Sequence, residues 1–253
     1  MTESLPKKLQ KATIVDSLFE VRFVSDSSAL LVIPGFLFER LEGEKVIKEL
    51  PGGQMPKALR DVNPNMQYMP ITRIEWGIFY INISDASVMV SCKNPYPGWS
   101  EFKPAIIKVM NLLSQLSTLK SVLRYSLKYV DLVPAPDLEQ QVSKANIDVV
   151  IAGHKLQKEH IQIRIEIPKD GFINVVQLIA SAKAKIDGIE TNGLAVDIDT
   201  IVTKQDPITI GELLTEFDAK LDKIHHINKS MFFNCITAET IESLEPVYEC
   251  YTK

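Results

Sequence analysis

The sequence predicts an α+β protein: two consecutive antiparallel sheets packed on helices, in the order β-α-β-β-α-β and then β-β-β-β-α. Three observations carry this expectation. Ile161, Ile163, Ile165 and Ile167 alternate with Gln162, Arg164 and Glu166, the period-two pattern of a strand covered on one face. Phe102, Ile106, Val109, Leu113 and Leu116 recur at three- and four-residue steps, the stripe of a helix docked on a sheet. Pro134-Ala135-Pro136 breaks the composition near the middle, which places an N-terminal unit over 1–134 and a C-terminal unit over 135–253.

The elements follow in order. Val15, Phe19, Val21 and Phe23 share one side of a strand over Thr13 to Phe23, with Asp16, Glu20 and Arg22 on the other. Pro34-Gly35 introduces a short helical pattern through Phe36, Leu37, Phe38, Leu41 and Val46, which ends at Leu50-Pro51-Gly52-Gly53. A surface loop carrying Pro56, Pro64 and Pro70 follows. Arg73 to Ile83 and Ala86 to Cys92, rich in β-branched and aromatic residues, read as a hairpin turning at Ser84-Asp85. The amphipathic helix comes next, with Pro104 near its first turn, and then a strand over Val122 to Val133. Beyond the midpoint, Asn146 to Ala152, His160 to Ile167, Phe172 to Ala182 and Gly193 to Val202 read as a meander. Thr209 and Glu212 form a capping-box pattern. It opens a helix of about five turns, with Ile210, Leu213, Leu214, Phe217, Leu221, Ile224 and Asn228 on one side.

Composition narrows the function classes. With 45% hydrophobic and 24% charged residues the chain folds rather than remaining disordered, and a net charge of -4 provides no global basic field for nucleic acid or anionic lipid. Cys92, Cys235 and Cys250 form no Cys-x-x-Cys pair, which fits reduced thiols in a cytoplasm. Met1 to Gln10 lacks the apolar stretch of a signal peptide, and no apolar run reaches the roughly 20 residues that span a bilayer, so no membrane is expected.

Several spaced motifs resemble, in order, a sporadically distributed family of uncharacterised prokaryotic proteins of about this length. Ala12-Thr13-Ile14-Val15-Asp16-Ser17-Leu18-Phe19-Glu20-Val21-Arg22-Phe23 is similar to the family's opening Pro-Ile-Val-Glu-Ala-Leu-Phe-Glu-Ile-Arg-Phe, with Pro and the first Glu replaced. Ile33 to Leu41, Pro95-Tyr96-Pro97-Gly98-Trp99-Ser100-Glu101-Phe102, Ala195-Val196-Asp197-Ile198-Asp199 and Leu221 to Phe233 followed by Ile236-Thr237 extend the resemblance from about Leu9 to Pro246. Where the family tends to Leu-Arg-Tyr-Ile-Asn-Arg-Ile, this chain has Leu127-Lys128-Tyr129-Val130-Asp131-Leu132-Val133, which weakens a basic and polar pair. The resemblance brings no activity, cofactor or ligand. Its sporadic distribution suggests a protein partner encoded beside the gene in a mobile or defence-type locus.

The charged residues give candidates without a catalytic motif. Glu20 and Arg22 share one strand face, as do Arg73 and Glu75 on another strand, and Asp197 and Asp199 on a third. A ligand pocket lined by Glu20, Arg22, Asp197 and Asp199 is weighed against ion pairing on an exposed face, and pairing is the commoner outcome. A lone Asp-x-Asp lacks the further ligands of a metal site, so no metal and no cofactor are assigned. His225 and His226 diverge by about 100° on a helix and have no nucleophile turn beside them; Cys235 would reach them only through tertiary folding. Tyr96, Trp99 and Phe102 read as a core plug before an aromatic platform. Lys103, Lys108, Lys120, Arg124 and Lys128 form the one candidate nucleic-acid patch, but an RNA-recognition strand motif is missing. The expectation is a cytoplasmic binding protein with a protein partner or self-association. The alternatives are a small-ligand receptor or enzyme and, disfavoured, a nucleic-acid binder.

Overall fold

The computed structural model describes residues 5–25, 29–63, 66–186 and 188–248; Cys250 and Pro64 lie outside them. In chain order these form β1 (Lys8–Leu9), β2 (Ile14–Ser25), α1 (Ala29–Arg40), β3 (Lys45–Glu49), α2 (Lys57–Val62), β4 (Thr72–Trp76), β5 (Phe79–Ile83), β6 (Ser87–Cys92), α3 (Trp99–Leu113) and β7 (Leu119–Pro134). They continue as α4 (Leu138–Lys144), β8 (Val150–Ile151), β9 (His154–Lys155), β10 (Gln162–Lys169), β11 (Phe172–Ile186), β12 (Ile189–Ile208), α5 (Ile210–Leu214), α6 (Phe217–Cys235), α7 (Ala238–Ser243) and β13 (Pro246–Val247). The fold is α+β, with largely antiparallel strands and helices packed against them.

Two compact units divide the chain. Unit 1 comprises Met1–Val15, Lys128–Thr200 and His225–Lys253; unit 2 comprises Asp16–Leu127 and Ile201–Ile224. The breaks fall inside β2, β7, β12 and α6, and Pro134 ends β7 within unit 1.

In unit 2 the strands run β7-β2-β6-β5-β4-β3. Alternation on β2 turns Phe19, Val21 and Phe23 inward at 0–1% exposure, opposite Val90 and Val88 of β6. Helix α3 covers this apolar side with Phe102, Ile106 and Val109, all fully buried. Phe217, at the start of α6, meets Phe19 and Tyr125 edge-on at ring separations of 6.0 and 6.4 Å. In unit 1 the order is β10-β11-β12-β7. Its core joins Val176 and Leu178 of β11 and Leu194, Val196 and Ile198 of β12 to Met231 and Phe232 of α6. Gly193 permits close strand approach there: a Cβ at that position would lie 2.3 Å from the Val133 carbonyl oxygen. A buried polar chain spans this core. The Asn228 amide donates to Ile198 O and Thr200 Oγ1, and the Thr200 hydroxyl donates to Asn174 Oδ1.

Four sequence expectations are corrected. The helix placed over Phe36 to Val46 begins earlier, at Ala29, and ends at Arg40, while Lys45–Glu49 is a strand; the β-branched Val46 and Ile47 pair with Glu75 and Ile74. The expected strand Arg73 to Ile83 folds into β4 and β5 because Gly77 turns the chain at φ 51°, and the result is a meander in which Trp76 pairs with Phe79. Asn146 to Ala152 contributes only the two-residue β8. The helix from Thr209 is two helices, α5 and α6, separated by Glu216 at φ 58°, and the second runs on to Cys235.

The capping box forms as expected. The Thr209 hydroxyl accepts from the Glu212 N–H, and the Glu212 carboxylate accepts from the Thr209 N–H at 2.7 Å. These bonds hold the Glu212 carboxyl below its usual range. Replacing Thr209 with Ala removes one side of the box and is expected to cost about 1 kcal/mol in chemical denaturation. An unchanged midpoint would show that packing alone sets the start of α5.

Candidate functional site

The four candidate residues do not assemble within one unit: Glu20 and Arg22 belong to unit 2, Asp197 and Asp199 to unit 1.

On β2 the inward turn of Phe19, Val21 and Phe23 sends Glu20 and Arg22 to the opposite, polar side. Register extends that side across the sheet: Glu20 opposes Met89, Met89 opposes Asn82, and Asn82 opposes Arg73. Tyr80 and Glu75 oppose each other on the same side. Arg124 reaches the face from β7. Its Nη2 lies 3.2 Å from Glu20 Oε2, while Arg22 Nε lies 2.8 Å from the same oxygen. The Glu20 side chain is 5% exposed, and its Oε1 is buried with no hydrogen-bond partner among the described residues. Glu20 is therefore the closed centre of an ion-paired trio.

The loop before β4 adds an aromatic. Arg60 makes a bidentate pair with Asp85, at 2.5 and 3.1 Å, and donates to the Met55 carbonyl; Ala86 N donates to Gln67 O. The loop is thus anchored to the β5–β6 turn, where Ser84 N donates to Ser87 O. Since Ser87 opposes Arg22, the anchored loop brings the Tyr68 ring over the Arg22 guanidinium, 3.8 Å from its centroid.

Further along the face, Arg73 lies 4.5 Å and Lys93 Nζ 5.1 Å from the centroid of Tyr80. Arg73 Nε donates to Asn82 Oδ1 at 2.8 Å. Neither Arg73 nor Lys93 has an ion-pair partner among the described residues, because the nearby Glu75 is taken by Lys48 at 2.7 Å. Lys48, aided by Lys93 and Arg73, holds the Glu75 carboxyl below its usual range. The result is a half-buried tyrosine flanked by two cations, with the nearby Glu75 carboxylate ion-paired to Lys48 instead. Sequence reading paired Arg73 with Glu75 and missed Tyr80 and Lys93; the register across the Gly77 turn is what joins them.

In unit 1, Lys128 Nζ lies 2.8 Å from Asp197 Oδ2, and the Gln177 amide donates to that oxygen at 3.2 Å. Asp197 is 13% exposed at the side chain, and its Oδ1 is buried without a hydrogen-bond partner among the described residues. Asp199 lies two residues on and is partly buried. Among the described residues no group of three or more His, Cys, Asp or Glu is placed to hold a metal ion.

The other candidates resolve as packing. Phe102 is fully buried, with Tyr96, Trp99 and Phe79 rings around it at 6.1–6.4 Å. His225 contacts the Tyr129 ring at 6.0 Å. His226 and Cys235 are nine residues apart on the one helix α6, about 14 Å along its axis, so the helix keeps them from forming a dyad. Burial pushes the Cys92 thiol up to about 12 and the Cys235 thiol to about 11, leaving both as poor nucleophiles. The basic patch is largely neutralised. Lys103 pairs with Asp218 and Asp222, Lys108 with Glu42, Arg124 with Glu20 and Lys128 with Asp197. Burial opposes the charge on Lys103, but its two carboxylate partners outweigh this and hold its pKa above the usual value.

Among the described residues no helix is long and apolar enough to cross a membrane. No protein-family model, curated protein or solved structure matches the chain.

Proposed function

We propose that this chain is a cytoplasmic binding protein of a prokaryote that takes an acidic segment of a protein partner on the polar strand face of unit 2. The supporting observation is Tyr80 between Arg73 and Lys93, two cations whose nearby carboxylate, Glu75, makes its close ion pair with Lys48 instead. Arg and Tyr dominate protein-binding energetics because each offers a large, partly preorganised contact surface. Asn82 fixes the Arg73 guanidinium, so less side-chain freedom is lost when a carboxylate binds. Arg22 over Tyr68 continues the surface, sharing the single Glu20 carboxylate with Arg124. The neutralised lysines leave little support for a nucleic-acid partner. A gene encoded beside this one is the first place to seek the partner.

Co-purification from the native host provides the test. The wild-type chain is expected to bring down a stoichiometric partner with an acidic segment, and the R73A/K93A variant is expected to lose it. Retention of the same partner by the folded variant, or recovery of no partner by the wild type, overturns the proposal.

A further inference from the structure

We infer that two copies of this chain associate through antiparallel pairing of β10 with its symmetry mate, centred on Ile165. The inference concerns unit 1 and does not rest on the polar face of unit 2. Strand β10 pairs with β11 alone and forms the end of the strand order, so one side of its backbone has no neighbouring strand among the described residues. Its register with β11 is continuous from Gln162 to Lys169, without the bulge that often protects an edge.

The outward groups follow from one bond. Ala180 N donates to Ile161 O, so Ile161 and Ala180 form a hydrogen-bonded pair. Alternation then turns the backbone groups of Ile163, Ile165 and Ile167 toward β11, and those of Gln162, Arg164, Glu166 and Pro168 outward. A two-fold axis at Ile165 places each outward Arg164 backbone opposite the mate's outward Glu166. Pro168, which has no N–H to donate, falls opposite Gln162 and offers its carbonyl. The hydrogen-bond parity required for an antiparallel partner is met at this register.

Side chains satisfy the same symmetry. Each Arg164 guanidinium faces the mate's Glu166 carboxylate, and the reverse, giving two opposite-charge cross-strand pairs. At present the two residues pair within the strand at 2.8 Å, with both side chains more than half exposed. On the other face, Ile163 opposes the mate's Ile167 and Ile165 opposes itself. Ile165 is 48% exposed in the single chain, although it belongs to the isoleucine row whose cross-strand partners Leu178 and Val176 are buried. A neighbouring strand would complete that row. The edge strand β3 is a weaker template: it is five residues long and carries Lys45 and Lys48, of which Lys48 is committed to Glu75. An isologous contact of this kind closes at two copies.

The test is sedimentation equilibrium of the full chain with two charge variants and one cysteine variant. The wild type is expected at twice its 28.4 kDa mass, with R164E and E166R each weakening the dimer by about tenfold or more and the double exchange R164E/E166R restoring it. The restored pairing separates a specific contact from general misfolding. In the non-hydrogen-bonded central pair, Cα atoms approach to about 4.5 Å, within disulfide reach, so oxidised I165C is expected to form a covalent dimer whose bridge maps to residue 165. A wild type that stays monomeric at on the order of 100 μM, a dimer unaffected by R164E, or I165C that fails to cross-link while V46C in β3 does so, overturns the inference.

Discussion

Replacing Glu20 with Ala is expected to lower the unfolding free energy by about 3 kcal/mol in urea denaturation. The carboxylate receives Arg22 at 2.8 Å and Arg124 at 3.2 Å on one oxygen, and it is almost wholly removed from water. Truncation would remove the carboxylate that Arg22 and Arg124 share from guanidinium groups exposed at only 24% and 21%. That loss is larger than the net worth of the pairs, because each arginine has already given up most of its hydration. The exposure of the arginines sets the estimate at the low end of the range for buried pairs. The double variant E20L/R124M, which removes one charge of each sign and restores apolar volume, is expected to recover part of the loss. A fall of less than about 0.5 kcal/mol in E20A would show that the trio is screened by water.

Stability is expected to fall as pH rises from about 4 to 7, and Asp131 is the cause. Burial pushes its carboxyl from the ordinary 3.8 up to about 7, against the lowering effect of the hydrogen bond from Thr13 Oγ1. Below about pH 4 both folded and unfolded chains hold this proton, and the contribution is complete. Between the two values the unfolded chain has lost the proton and the folded chain keeps it. Each pH unit therefore costs about 1.4 kcal/mol, up to roughly 4 kcal/mol in all, and above about 7 the curve flattens. Asp131 is 5% exposed on β7 and accepts a hydrogen bond from Thr13, so a carboxylate there is poorly hydrated. The measurement is the difference in stability between wild type and D131N across this window. D131N keeps the acceptor for Thr13 and has no proton to lose, so it should be the more stable of the two at pH 8. Parallel curves for the two proteins would remove Asp131 as the source.

Local rules carried the strands and caps, and long-range pairing lay beyond them. The alternation at Phe19, Val21 and Phe23, the Ser84-Asp85 turn, the helix stripe through Phe102 and the Thr209 box were all legible, because each is decided by residues within a turn or two. The two-helix break at Glu216 was hidden because a glutamate, not a glycine, adopts positive φ there. Gly77 was in plain view, but the apolar run from Ile74 to Ile83 continues through it, so composition gave one strand where the chain makes two.

The site was legible in part. Sequence periodicity placed Glu20 and Arg22 on one face, and Asp197 and Asp199 on another. It did not provide Arg124, 104 residues from Glu20, or the anchoring of Tyr68 above Arg22 through Arg60 and Asp85. Nor did it provide the ion pair of Lys128 on β7 with Asp197 on β12, which long-range strand pairing sets. Tyr80 gained significance only when the β4–β5 register set Arg73 beside it.

That tyrosine and its two cations are the proposed contact surface. Titration of the purified partner into wild type, R73A/K93A and K108A measures this directly; Lys108 lies on α3, close to Glu42 and the Trp76 ring. The double variant is expected to weaken binding by about 30-fold, equivalent to about 2 kcal/mol, with K108A unchanged. Equal affinities for wild type and the folded double variant, or a loss confined to K108A, would contradict it.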